Sequence, residues 1–107
     1  MPVIELQRLT KGEVSSLSGH PRGLAARGFF ELDTLDKIEE AVIVTAPESL
    51  VAITPSFVQG MFARSVHALG EDVFFSHYKF DLQPHLLTDV RLGIQRALMR
   101  RDLAGAA

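Results

Sequence analysis

Apolar and polar residues alternate from residue 3 to residue 9, with Val3, Glu5 and Gln7 set against Ile4 and Leu6, the period of a half-buried strand. A turn at Lys11 and Gly12 leaves room for a second short strand after it. In SGHPRGLAARGFFELDTL, Ser18 or His20 precedes Pro21, and Leu24, Ala25, Phe29 and Leu32 recur at helical spacing. That pattern predicts a helix over about residues 21 to 32, weakened by Gly23 and Gly28. EAVIVTA at 40 to 46 is short, rich in β-branched residues and bounded by charge and proline, and reads as a central strand buried on both faces. Thr54 is an N-cap with Pro55 at the first helical position, and Phe57, Val58, Met61, Phe62, Val66 and Leu69 form a broad apolar face that ends at Gly70. DVFFSHYKF reads as a strand, and the stretch from residue 83 to residue 103 as the longest helix, with Leu86, Leu87, Val90, Ile94, Ala97 and Leu98 inward.

Strands alternating with helices imply an α/β fold: a mixed sheet of four or five strands covered by about three helices, with parallel crossovers. The 107 residues suit one domain, with a core over about residues 15 to 102 and a tail, residues 103 to 107, expected to fray. A hydrophobic fraction of 47% with 22% charged residues is that of a folded chain. The net charge of -2, with both signs interspersed, gives no global field toward nucleic acid or an anionic membrane. There is no cysteine, which excludes disulfides, thiolate metal sites and cysteine nucleophiles and suits a reducing compartment. MPVIELQRLT does not read as a signal peptide, and no apolar run approaches the roughly 20 residues of a membrane span. The expected location is the cytoplasm.

Chemistry concentrates at AITPSFVQG, residues 52 to 60, where Ser56 falls in the first turn of a helix. A helix N-terminus attracts anions and phosphate, so Ser56 is either a phospho-acceptor or a turn residue satisfying a local backbone group. His20, His67, His77 and His85 show no metal-binding spacing, and Ser56 lies outside any Gly-x-Ser-x-Gly elbow, so neither a metal nor a catalytic triad is expected. GHPRGLAARG lacks both the dinucleotide fingerprint and the P-loop lysine. Arg91, Arg96, Arg100 and Arg101 form a basic face on the last helix, and ELDTLDKIEE at 31 to 40 an acidic patch. Together the two patches permit head-to-tail self-association or heterotypic contacts.

The stretch VIVTAPESLVAITPSFVQGMFARSVHALG, with the looser PRGLAAR before it and the terminal helix after it, resembles the STAS-like family, a domain of unknown function related to the sulfate transporter and anti-sigma factor antagonist fold. The residues that carry the likeness are Val42 to Val44 as strand, Leu50, and Ile53, Pro55, Ser56 and Phe57 at the turn, within a span from about residue 15 to residue 102. The resemblance implies a bacterial regulatory module without catalysis or cofactor. Its contacts would be Thr54, Ser56, Phe57 and Gln59, and its partner a histidine-kinase-type ATPase or another signalling protein. In anti-sigma factor antagonists the serine at the position of Ser56 is phosphorylated. Here Thr54 stands at the acidic position of that turn, Ala46 at the strand-end aspartate, and Gln59 and Gly60 at the acidic pair after the phenylalanine. A small anion or nucleotide site at the same helix N-terminus is the alternative function, and nucleic-acid binding through the terminal arginines a third.

Overall fold

A computed structural model describes the backbone of residues 2 to 106 and the side chains of residues 2 to 99. The order is β1 (Val3–Glu5), α1 (Gln7–Thr10), β2 (Ser16–Leu17), α2 (His20–Phe29), α3 (Leu32–Leu35), β3 (Val42–Thr45), β4 (Ala52–Ile53), α4 (Pro55–Leu69), α5 (Glu71–His77), β5 (Tyr78–Asp81) and α6 (Pro84–Ala106). The α/β class is as expected, but the sheet is neither mixed nor of four or five strands. It is two parallel sheets, β1-β3-β5 and β2-β4, and the helices number six among the described residues.

The three-stranded sheet is packed on one face only. Ile4, Val42, Val44 and Tyr78 are buried against the helices, whereas Val3, Glu5, Lys79 and Asp81 are exposed and Ile43 and Thr45 half-buried. Residues 40 to 46 were expected to form a strand buried on both faces, yet β3 alternates, as a strand with a single helical layer must. The predicted first strand is also shorter. After β1 the chain turns into α1 at Gln7, which ends on Lys11 in the left-handed region (φ 52°).

The helix α4 lies between α2 and α6, and of its predicted apolar face Phe57, Val58, Met61, Phe62 and Val66 are buried and Leu69 half-buried. The predicted inward face of α2 is not the one that packs. The helix expected to reach residue 32 ends at Phe29, so that the buried Leu32 belongs to α3, while Leu24, Ala25 and Phe29 are exposed and Gly23, Ala26 and Arg27 face the core. The reason is a close helix crossing. A Cβ on Gly23 would sit 2.2 Å from the Phe57 carbonyl oxygen, and one on Gly60 would sit 2.3 Å from that of His20, so only glycine at both positions lets the backbones approach this far. That crossing turns α2 and leaves its larger apolar side chains outward.

DVFFSHYKF also divides: residues 72 to 77 belong to α5 and only 78 to 80 to β5. Gly70 (φ 84°) ends α4 and starts α5, with its carbonyl accepting the Phe74 N–H at 2.8 Å, and Glu71 and Asp72 complement the new N-terminus. Phe74 is thereby brought among Phe62 (5.6 Å between ring centroids) and Tyr78 (5.2 Å) in the core. The core reaches beyond the predicted span to Ile4 and Leu6. The tail expected to fray lies on α6 as far as Ala106; residue 107 and the side chains of Arg100 and Arg101 are outside the described residues.

Candidate functional site

Thr54 holds the start of α4 from two sides. Its backbone is extended (φ -71°, ψ 152°), and its hydroxyl oxygen accepts the Phe57 N–H at 3.3 Å and the Gly19 N–H at 3.4 Å. Its own N–H donates to the Leu17 carbonyl at 2.9 Å, and the Asp89 carboxylate accepts the Ile53 N–H at 3.0 Å. One threonine thus caps α4 and ties it to the loop before α2 and to β2. Thr54 is the predicted N-cap, but its oxygen is committed to the fold.

Ser56 follows on this fixed frame, exposed and with no side-chain hydrogen bond among the described residues. Gln59 is half-buried one turn on, while Phe57 is 2% exposed. Phe57 therefore belongs to the core and is corrected as a docking residue: a partner reaches it only as part of a groove floor. That groove, about 390 Å3, runs between α2 and the segment leading into β2, lined by Leu9, Val14, Leu17, Ala25, Phe29 and Phe57. Val14 and Phe29 are 43% and 52% exposed, and the Arg8 guanidinium lies 4.8 Å from the centre of the Phe29 ring.

Arg27, 5% exposed, organises a second constellation that the sequence pattern did not reveal. It donates from Nη1 to the Met61 carbonyl (3.0 Å) and the Ser65 hydroxyl (2.8 Å), and from Nη2 to Asp33 (2.7 Å) and Asp36 (2.8 Å). Ser65 and Tyr78 both donate to Asp36 Oδ1, at 2.7 Å and 2.5 Å. Burial, reinforced by the hydrogen bond to the Asp36 carboxylate, pushes the Tyr78 hydroxyl well above its ordinary pKa of 10.0. The hydrogen bond and charge of Arg27 hold Asp33 below the ordinary 3.8. No buried side-chain polar atom among the described residues lacks a partner, so the buried part of this cluster is fully satisfied and joins α2, α3, α4 and β5, with the exposed Asp33 at its rim. Its one sequence signal is Ser65, a polar residue inside the apolar stripe of α4.

The remaining candidates stand apart from both. Arg91 and Arg96 are exposed on α6; Arg91 borders a separate groove beside β5, and Arg100 and Arg101 fall outside the described side chains. His67 Nε2 is 3.1 Å from the Ala97 carbonyl oxygen and His77 Nε2 2.7 Å from that of Leu35, and no group of three His, Asp or Glu among the described residues is placed to hold a metal ion. No helix among them is long and apolar enough to cross a membrane. No family model matches the chain, no curated protein matches it, and no solved structure matches it.

Proposed function

We propose that this chain is a non-catalytic regulatory module that binds a protein partner through the turn at residues 54 to 60 and the adjoining apolar groove, as its resemblance to STAS-like domains implies. One observation carries the reading: Ser56 presents a free hydroxyl on a turn that Thr54 and Asp89 hold in place. Pre-organisation of this kind lowers the ordering cost of binding. The groove, with Val14 and Phe29 exposed, supplies apolar area of the sort partners bury. Docking of protein is favoured over a small anion because the Thr54 hydroxyl already takes the Phe57 N–H, one of the first-turn donors an anion would need. On this reading the module is non-catalytic; among the described residues Ser56 hydrogen-bonds no histidine or carboxylate.

Phosphorylation of Ser56 would add about -1.5 to -2 charges at the centre of the contact, stabilising the helix N-terminus while opposing an apolar or acidic partner surface. The partner class is a histidine-kinase-type ATPase or another signalling protein. Immobilised parent protein and Ser56→Asp protein exposed to the same extract provide the test. A protein retained by the parent and lost from the Ser56→Asp resin supports the reading; equal retention by both removes Ser56 from the contact. Turnover of ester, phosphate or nucleotide substrates that disappears in folded Ser56→Ala protein would replace the binding module with an enzyme.

A further inference from the structure

The outer edge of β5 borders a groove of about 530 Å3, lined by Phe75, Phe80, Leu87 and Val90 with Lys79 and Arg91 beside them. The main-chain direction along this edge follows from the neighbouring pairs. The Ile43 N–H donates to the Pro2 carbonyl at 3.0 Å and the Thr45 carbonyl accepts the Leu6 N–H at 2.9 Å, so both residues turn their main-chain groups toward β1. Alternation turns those of Val42 and Val44 toward β5. In the parallel register Val44 lies opposite Phe80, so its hydrogen bonds reach the flanking Lys79 and Asp81, and Tyr78 and Phe80 turn theirs outward. The Tyr78 N–H is taken by the Phe74 carbonyl at the end of α5. Both main-chain groups of Phe80, a half-buried residue, have no partner among the described residues, whereas Tyr78 is buried and its carbonyl is closed to a second chain.

We propose that this edge is a self-association surface, on which a second copy of the chain pairs antiparallel about a two-fold axis at Phe80. Antiparallel pairing centred there lets the two Phe80 residues exchange both N–H and C=O bonds, which satisfies the open groups. It also places Lys79 of each copy directly opposite Asp81 of the other. Both side chains are exposed on the uncovered face of the sheet, so the symmetry makes two opposite-charge cross-strand pairs from one sequence. A slip of one residue would send these charges to the helical face, so the register is specified. On that helical face the two half-buried Phe80 side chains meet each other and Leu82 of each copy lies opposite Tyr78 of the other, which joins the two apolar grooves, and the three-stranded sheet becomes one of six strands. An unrelated peptide could use the open main-chain groups, but the self-complementary order of Lys79 and Asp81 is what a second copy requires.

Pairing at β5 does not depend on binding at residues 54 to 60. Sedimentation equilibrium should show the parent mass rising from 11.8 kDa toward twice that with concentration. Lys79→Asp and Asp81→Lys should each weaken the dimer by about tenfold, equivalent to about 1.4 kcal/mol, and the double reversal should restore it. In the parent, exchange of the Phe80 amide should slow as concentration rises. A parent that stays monomeric, a dimer indifferent to either reversal, a folded double variant that fails to recover, or a Phe80 amide insensitive to concentration overturns the proposal.

Discussion

Arg27 and Asp36 form the buried ion pair of the cluster that ties α2 to α4. Arg27→Ala leaves the Asp36 carboxylate, 11% exposed, without its cation, and should cost about 3–5 kcal/mol in urea unfolding. Asp33, 64% exposed, adds little, as surface ion pairs do. Tyr78 sets the alkaline limit. Its hydroxyl keeps its proton in the folded protein well above the unfolded value of 10.0, so the stability it contributes is complete below about pH 10 and is lost as pH rises further. Asp33, lowered from 3.8, acts oppositely: its contribution is present above that value and is lost as pH falls. Denaturation midpoints followed from about pH 8 to about pH 11 should decline for the parent and decline less for Tyr78→Phe. At the turn, Thr54→Ala should cost about 1 kcal/mol and Ser56→Ala stay within about 0.5 kcal/mol, measured by the same unfolding, because only the first removes a cap.

At the level of elements, the closest contact is the crossing of α2 and α4, and glycine substitution probes it directly. Gly23→Ala should destabilise by about 1–3 kcal/mol, since the new methyl meets the backbone of α4. Gly28→Ala on the same helix meets nothing within 4 Å and should stabilise by about 0.5–1 kcal/mol. Opposite shifts in thermal midpoint are the expected pair of results. Much of the layout was legible in the residues: the apolar stripes of α4 and α6, the cap at Thr54, the stop at Gly70 and the strand at 42 to 45 all follow from local periodicity and chemistry. The face of α2 was not, because Leu24 and Phe29 outscore Gly23 in any apolar pattern, and it is the glycine on the partner helix that decides which side packs. The helix at 71 to 77 was hidden for a related reason. Its β-prone phenylalanines serve a tertiary aromatic cluster, and long-range packing overrode their local preference.

For the molecule as a whole, one helical layer over a parallel sheet leaves the opposite face uncovered and collects the turn at residues 54 to 60, the loop before α2 and β2 into one rigid corner. Of the candidate site, the exposed hydroxyl of Ser56 was readable from its place after Thr54 and Pro55. The groove beside it was not, since Leu9, Val14, Phe29 and Phe57 come from separate segments that only the fold brings together. The regulatory reading makes its sharpest demand on that corner: a negative charge at residue 56 must change binding without changing the fold. Calorimetric titration of the parent, Ser56→Ala and Ser56→Asp proteins with the protein retained by the parent resin tests this most directly. Near-parental affinity is expected for Ser56→Ala and a loss of about tenfold or more, about 1.4 kcal/mol, for Ser56→Asp at unchanged thermal stability. Equal affinity for all three proteins would contradict it.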